Sequence, residues 1–144
     1  MITFKPITDR EEWDWIYYRA FPIACADTQG LVAYDERGII QAAAVFDSFT
    51  VDACSVHLAI DNPFVMRHGF LHEIGRHLFV ECGRRRIFGL VPSDNEKALK
   101  LDKHIGLKEV ARIPHGYKQD VDYIILCMEK SECRWIPAEL REAA

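Results

Sequence analysis

The sequence predicts an α/β domain, with a mixed sheet of six to seven strands and helices on both faces of that sheet. Three observations support this fold class. Residues Cys54 to Ile60 alternate larger apolar side chains with smaller or polar ones, which is the pattern of a half-buried strand. An amphipathic helical pattern follows between Phe70 and Cys82. An apolar run from Ile87 to Val91 comes next, so the order strand, helix, strand predicts a right-handed crossover between parallel strands.

The residues before this crossover predict one helix and two further strands that form a hairpin, after a first strand. The first strand covers Ile2 to Thr8, and the helix covers Glu11 to Ala20. The stretch Pro22 to Gly30 predicts a loop or a short helix that could form one wall of a cleft. The hairpin strands are Leu31 to Asp35 and Ile39 to Phe49, since the residues between them are typical of a turn.

The residues after the crossover predict a second helix and two last strands. Gly83 would end the first long helix. A capping box at Ser93 to Glu96 would begin the next helix, which Gly106 would end. Strands follow at Leu107 to Ile113 and at Tyr123 to Glu129.

The chain predicts a single domain, residues 1–144, whose last part is a C-terminal tail at residues 130–144. This tail is polar apart from Trp135, Ile136 and Leu140. These three side chains could dock a partner chain or a second subunit, so a homodimer is one possibility.

Composition and charge narrow the class of protein. The net charge is −4, with 49% hydrophobic residues, which disfavours a nucleic-acid partner because such proteins bind through clustered Lys and Arg. No apolar run approaches the roughly 20 residues of a membrane span, and the N-terminus has no signal-peptide pattern. Five widely spaced cysteines favour reduced thiols over a disulfide framework. We therefore expect a cytoplasmic protein with no membrane partner.

The stretch from Ile60 to Ile74 predicts an anion site. It joins the strand to the long helix through a proline, the basic pair Arg67 and His68, and the single glycine Gly69. The first backbone N–H groups of a helix have no partner inside the helix, and the helix dipole adds partial positive charge there. A phosphate group suits this position.

Two motifs resemble those of the GNAT N-acetyltransferase family. The segment Asn95 to Leu107 is similar to the family pattern N-x-x-A-x-x-L-Y-x-x-x-G-F. The positions that match are Asn95, Ala98, Leu101 and Gly106, and Leu107 takes the place of Phe. The family's pyrophosphate loop is Q/R-x-x-G-x-G/A. Aligned on Gly69, it places Met66 first and Leu71 last, so only the central glycine fits, and Arg67 could supply the missing cation.

The resemblance covers roughly Thr3 to Glu129 by element order, and it implies a binding site for acetyl-CoA. In the family, acyl-CoA lies in a cleft where two neighbouring parallel strands separate, here Cys54 to Ile60 and Ile87 to Val91. The implied cofactor-binding residues are Leu58, Ala59, Ile60, Met66, Arg67, His68, Gly69, Phe70, Leu71 and Asn95. The first three would pair with the pantetheine arm through their backbone, the backbone N–H groups from Arg67 to Leu71 would hold the pyrophosphate, and Asn95 would face the other side of the cofactor.

Acetylation of an amine requires a base for the amine and an acid for the leaving thiolate. In many members of the family the acid is a Tyr, and Asp102 occupies that position here. An ionised Asp donates a proton poorly unless its pKa is raised well above the ordinary value. Tyr123, Tyr117 or a water molecule are the alternatives for the acid.

His57 is the first candidate for the base. It lies in the central strand on the face opposite Val56 and Leu58, and histidine commonly changes charge near neutral pH. The alternative is a half-buried strand histidine that hydrogen-bonds a neighbour. Asp52 and Glu73 are weaker candidates for the base, and Glu73 more simply complements the dipole of its helix.

No metal site is predicted. His72, Glu73 and His77 approach the pattern H-E-x-x-H, but Arg76 holds the position of the second ligand. The run Arg84 to Arg86 could reach the 3′-phosphate of CoA, or it could be a solvated loop.

The resemblance predicts an acyl-CoA-dependent N-acyltransferase that moves acetyl from acetyl-CoA to a primary amine by direct attack. Its partners would be acyl-CoA and an amine acceptor that the sequence does not identify. The alternative is a catalytically weak or inactive GNAT-like binding or assembly module, which the incomplete loop and the missing Tyr favour. Small divergent members of the family are common in bacteria and their phages.

Overall fold

The computed structural model describes residues 1–20 and 27–142 of the 144-residue chain. The expected loop or short helix at Pro22 to Gly30 falls largely outside these residues. The elements, in chain order, are β1 (Thr3–Pro6), α1 (Arg10–Ala20), β2 (Gln29–Tyr34), β3 (Ile40–Asp47), β4 (Ala53–Ile60), α2 (Phe64–Arg67), α3 (Phe70–Gly75), β5 (Arg86–Pro92), α4 (Glu96–Ile105), β6 (Lys108–Lys118), β7 (Val121–Glu129) and α5 (Ala138–Arg141).

The strands form a mixed sheet of seven, in the order β1-β2-β3-β4-β5-β7-β6. The pairs from β1 to β4 are antiparallel, β4 and β5 are parallel, and β7 pairs antiparallel with both β5 and β6. The one parallel pair is the crossover that the sequence predicts, because the chain between β4 and β5 passes through α3. The predicted mixed sheet is confirmed.

Apolar side chains pack on both faces of the sheet. On one face, Phe70, Ile74 and Leu78 are buried with residues of β3, β5 and β7 in the larger core cluster. On the other face, Ile16 of α1 is buried with Val45 and other residues of β2, β3 and β4. Each fully buried large apolar side chain contributes about 1.5–3 kcal/mol relative to exposure. Helices therefore lie on both faces, as the sequence predicts.

The long helix that the sequence predicts from Phe70 to Cys82 changes geometry along its length. It begins at Phe70 as α3 and continues from Arg76 to Glu81 as a π-helix. Gly83 follows with a φ of 66°, which ends the helix as predicted. The predicted apolar stripe is retained, since Phe70, Ile74 and Leu78 are all buried.

Strand β6 is longer than the predicted strand Leu107 to Ile113, because it extends to Lys118. A register shift between Ile113 and Lys118 accommodates Pro114 to Gly116. Proline is tolerated here because β6 is the last strand of the sheet, where one side of the backbone needs no ladder partner. The short helix α2 is a further element that the sequence did not predict.

Glu12 fixes the start of α1. Its carboxylate is buried and accepts hydrogen bonds from the backbone N–H groups of Thr8 (2.9 Å) and Asp9 (3.2 Å) and from the hydroxyl of Tyr34 (2.6 Å), and it pairs with the Lys5 ammonium. Burial by itself raises the pKa of this carboxyl. The hydrogen bonds from Lys5 and Tyr34 and from the backbone outweigh burial and lower the pKa to about 2.

The C-terminal tail folds back onto its own chain. Cys133 and Ile136 are buried, and the indole Nε1–H of Trp135 donates to the carbonyl of Ile105 at the end of α4 (2.8 Å). The Arg134 guanidinium donates to a neighbouring carbonyl of the same helix end. The sequence expectation that the apolar tail residues serve to dock a partner is corrected for Trp135 and Ile136, which pack within the chain.

Among the residues that the structure describes, no helix is long and apolar enough to cross a membrane. The four described cysteines, Cys54, Cys82, Cys127 and Cys133, carry free thiols, and Cys25 lies outside the described residues.

Candidate functional site

The parallel strands β4 and β5 pair over only three residues each. The pairs are Ala53 with Arg86, Cys54 with Ile87, and Ser55 with Phe88. Beyond them β4 continues to Ile60 and β5 to Pro92, but no further pairs form between the two strands. The two strands therefore separate towards their carboxyl ends, as the resemblance implies. The β5-facing backbone groups of residues 56–60 have no strand partner in the described chain.

The turn before α3 lies at the open end of this separation. Gly69 has a φ of 97° and caps α3, which begins at Phe70. The backbone N–H of His68 donates to the carbonyls of Phe64 and Val65, so one of the five predicted pyrophosphate amides is already engaged. The first N–H groups of α3 lack intrahelical acceptors. The available donors are therefore the amides that begin at Gly69, rather than the full set from Arg67.

The side chain of Leu71 does not obstruct this turn. It is 3% exposed and packs into the core between the helices and the sheet. The family pattern has a small residue here, and a larger side chain that pointed into the turn would keep a phosphate away from the backbone. Because the side chain points into the core, that objection does not hold. Met66 is half-buried, and Arg67 and His68 are exposed.

The predicted capping box at Ser93 to Glu96 is wrong, because the Ser93 hydroxyl instead accepts a hydrogen bond from the backbone N–H of Asp122. Asn95 is the residue that caps α4, which begins at Glu96. Its Oδ1 accepts a hydrogen bond from the backbone N–H of Ala98 at 3.2 Å. This contact satisfies one of the free N–H groups at the helix start. The predicted contact of Asn95 with a cofactor would have to use the remaining polar atoms of its side chain.

Asp102 points from α4 into an apolar cavity beneath the separated strands. Val56 and Leu58 of β4, Leu71 of α3 and Trp135 of the tail are among the residues that line this cavity. Of the described residues in its lining, Asp102 is the one carboxylate. Burial raises the pKa of Asp102 to about 6. The carboxyl is thus partly protonated near neutral pH, which the sequence alone left open.

His57 lies on the opposite face of the sheet from Asp102. Its neighbours Val56 and Leu58 point into the cavity, and side chains alternate along a strand. The Nε2 atom of His57 lies 3.0 Å from Oδ2 of Asp47 on β3. The side chains are 32% and 14% exposed, so the imidazole is reachable while its carboxylate partner is more enclosed. A carboxylate in this position orients the imidazole.

Tyr123 is on the same face as His57, away from Asp102. It pairs with Pro92 at the carboxyl end of β5, and its neighbour Ile124 is buried on the other side, in the core cluster that contains Phe70 of α3. Its ring lies 5.8 Å from the ring of Tyr117, centroid to centroid. Tyr123 and Asp102 therefore lie on opposite sides of the sheet.

The remaining candidates are engaged elsewhere. Arg84 to Arg86 precede or begin β5, at the end away from the separation. Arg86 pairs with Glu129 (2.6 Å), and Arg85 lies 3.9 Å from Asp52. Glu73 pairs with Arg76 at 2.8 Å. The arginine run thus does not reach the turn at Gly69, and the two weaker base candidates, Asp52 and Glu73, are in ion pairs.

Two residues of the site could not be identified from the sequence. Asp47 reaches His57 only because the register of β3 and β4 places Val45 opposite His57 and Asp47 opposite Ser55. Trp135 lies in a tail whose path depends on tertiary packing. The short connection between β3 and β4 predicts that the two strands are neighbours, but it does not show which residue of β3 lies next to His57.

No protein-family model and no curated protein matches the chain. Solved structures do match. A crystal structure of the spermidine/spermine N-acetyltransferase SpeG from Vibrio cholerae has 11% sequence identity and a TM-score of 0.72, over 90% of this chain and 93% of that chain. A crystal structure of mutant forms of the same enzyme has 11% sequence identity and a TM-score of 0.75, over 99% of this chain and 100% of that chain. A crystal structure of a putative phosphinothricin N-acetyltransferase has 20% sequence identity and a TM-score of 0.67, over 90% of this chain and 98% of that chain. The GNAT-like fold that the sequence predicts is confirmed.

Proposed function

We propose that this chain, which has the fold of the N-acetyltransferases that it matches, is an acyl-CoA-dependent N-acyltransferase that moves an acetyl group from acetyl-CoA to a primary amine. One observation carries the proposal. The parallel strands separate at the place where a half-buried Asp102 faces one side of the sheet and the His57–Asp47 pair faces the other. An acid and a base on opposite sides of one opening suit the transfer of a group through it.

The residues around the opening fit a bound coenzyme A. The unpaired backbone edge of residues 56–60 can receive the amides of an extended arm, in the way that a peptide adds to a sheet edge. The turn at Gly69 and the start of α3 offer N–H groups for a pyrophosphate. Gly89 leaves space beside Asp102 for a further group. The bound donor would supply an activated thioester.

His57 would act as the base. Its imidazole takes the proton that the amine loses as it becomes a nucleophile, and Asp47 orients the ring through the contact at Nε2. The ring nitrogen that is not held by Asp47 is the one placed to receive that proton. Direct attack of the amine then requires no covalent enzyme intermediate.

Asp102 would act as the acid. Burial raises the pKa of its carboxyl to about 6, so a minor fraction of the carboxyl is protonated at pH 7, and that form can donate its proton to a leaving group at the opening. The tyrosine that many members of the family use at this position is thereby replaced by a carboxyl that burial keeps partly neutral. Tyr123 would line the opposite side of the opening, where it can contact the acceptor.

Calorimetry with CoA and a thiol-release assay with acetyl-CoA and a panel of amines test the proposal. We expect the parent chain to bind CoA and to release thiol only when an amine is present. The variants His57→Gln and Asp102→Asn should still bind CoA but release thiol about 100-fold more slowly or worse. A chain that does not bind CoA contradicts the proposal. CoA binding without transfer to any amine would instead support a catalytically inactive binding module.

A further inference from the structure

The sheet face that carries His57 continues across β5 and β7 as an apolar surface. In each strand, the residues that alternate with the buried ones point to this side. We call the following four residues the acceptor face: Phe88, Leu90, Tyr123 and Ile125. Leu90 is 37% exposed and the others are half-buried. In the register of β5 and β7, Leu90 pairs with Ile125, so the two side chains are neighbours.

The acceptor face adjoins the proposed base directly. Ser55 of β4 pairs with Phe88 of β5 before the strands separate. His57 and Leu90 each lie two residues further along, on the same side of the sheet, so they stand opposite one another across the opening. A molecule that places its amine at His57 must therefore lay the atoms next to that amine against Leu90 and its neighbours.

The carboxylates near this face are already paired with cations of the chain. Asp47 contacts His57, and Glu129 pairs with Arg86 at the foot of β5. At the upper end of β4, both carboxylate oxygens of Asp61 accept from the Arg19 guanidinium, at 3.0 and 3.3 Å. An acceptor with several ammonium groups would need a carboxylate for each of them. In the described part of the chain, each of these three carboxylates would first have to leave the cation that it already contacts.

We propose that the acceptor is a primary amine on an apolar, preferably aromatic, body, and that the acceptor face binds this body. The proposal rests on the proposed function and names its substrate class. In the transfer, the amine nitrogen forms a bond to the acyl carbon while the carbon–sulfur bond breaks. One nitrogen proton passes to His57, and the sulfur receives the proton of Asp102, so the products are an amide and a thiol.

A protein-detected NMR titration tests this inference without acetyl-CoA. Three amines are compared: 2-phenylethylamine, ethylamine and spermidine. The first two differ only by the ring, and the third carries several positive charges on a flexible chain. We expect 2-phenylethylamine to bind at least about tenfold more tightly than ethylamine, because burial of an aromatic ring removes apolar surface from water. The amide signals of Leu90 and Ile125 should shift. Spermidine that binds as tightly as 2-phenylethylamine would overturn the inference.

A pair of variants ties the preference to the face. Leu90→Asp should weaken the binding of 2-phenylethylamine about tenfold or more and strengthen that of spermidine, since it replaces an apolar contact by a carboxylate without a partner. Val110→Asp is the matched control, because Val110 is also an exposed apolar strand residue, at 62% exposure, but lies in β6 outside the acceptor face. Equal effects of the two substitutions would overturn the assignment of the face.

CoA calorimetry on the same samples tests the proposed transferase function separately from the proposed class of acceptor. Unchanged CoA affinity in Leu90→Asp is the expected result, since Leu90 points away from the donor cavity. Acetyl transfer that prefers spermidine to 2-phenylethylamine, in a chain that binds CoA, would overturn the substrate class and leave the transferase intact. A chain that binds no CoA would overturn the proposed function itself.

Discussion

A β-carbon built on Gly89 would stand 3.7 Å from Oδ2 of Asp102, and at the same distance from the carbonyl oxygen of Val56. Gly89 lies just past the last paired residues of β4 and β5. The Asp102 carboxyl is therefore directed at the point where the two strands separate, with room beside it. A missing side chain in β5 thus leaves open the space that the proposed function requires.

Filling that space should block the donor. The contacts at 3.7 Å are ordinary van der Waals distances for a single β-carbon, so Gly89→Ala should change the free energy of unfolding by no more than about 1 kcal/mol. Gly89→Val adds two methyl groups beyond that carbon and should cost about 1–3 kcal/mol. The added methyl groups occupy the opening, and we expect CoA affinity to fall at least about tenfold by calorimetry. Gly89→Ala, the smaller control, should bind CoA more tightly than Gly89→Val. Full CoA affinity in Gly89→Val would show that the opening is not the donor site.

The raised pKa of Asp102 has a consequence for stability. Its folded pKa is about 6, against an ordinary value of 3.8, so the folded chain binds more protons than the unfolded chain between these values. Stability from this group is therefore greatest at low pH and is lost as the pH rises from about 4 to 6. At pH 7 the ionised carboxylate costs on the order of 3 kcal/mol.

Asp102→Asn should remove this cost. We expect the variant to be more stable than the parent at pH 7.5, by up to about 3 kcal/mol, and to lose that advantage at pH 4. Urea unfolding at the two pH values measures the difference, and the thiol-release assay on the same samples should show the loss of activity. An advantage that is the same at both pH values would mean that the carboxyl is not buried as described.

The sequence predicts the strands and helices around this site more fully than the protonation and contacts of its side chains. Alternation in β4 and the apolar stripe of α3 depend on local periodicity, so the crossover and the mixed sheet could be predicted. The protonation of Asp102 depends on which side chains enclose it, and Asp47 reaches His57 only through the register of β3 and β4. Neither is a local property, and the sequence therefore identified His57 and Asp102 as candidates without deciding their states.

The packing of the C-terminal tail could not be predicted from the sequence either. The sequence allows the tail's apolar residues to dock a partner, because nothing in the sequence shows what they pack against. Gly75 provides the place, since a β-carbon there would stand 3.1 Å from Cγ2 of Ile136 and 3.6 Å from Cβ of Trp135. This glycine lies about 60 residues before the tail in the sequence, so local periodicity does not show that the two pack together.

The tail should keep water from Asp102, because Trp135 lines the same cavity. Trp135→Ala opens that side, and we expect the stability of the folded chain to depend less on pH between 4 and 6, since hydration lowers the pKa of the carboxyl. Trp135→Phe is the control. It retains a ring and loses only the 2.8 Å hydrogen bond to Ile105, so it should cost about 1 kcal/mol and keep the pH dependence. Unfolding experiments across this range distinguish the two. A parent-like pH dependence in Trp135→Ala would contradict the shielding.

The buried Glu12 should give the chain its main sensitivity to acid. Its folded pKa is about 2, below the ordinary 4.5, so its contribution is present above pH 4.5 and is lost as the pH falls from 4.5 to 2. We expect Glu12→Gln to be less stable than the parent by roughly 3 kcal/mol at pH 7, and this difference should shrink markedly by pH 2.5. Tyr34→Phe, which removes one of the hydrogen bonds to the carboxylate, should lose only about 1–2 kcal/mol at pH 7. Urea unfolding of the three chains at both pH values measures these differences. Because α1 and β2 lie far from Asp102 in the fold, CoA affinity should not change in either variant. A difference in stability between the parent and Glu12→Gln that stays constant with pH would contradict the role of the carboxylate.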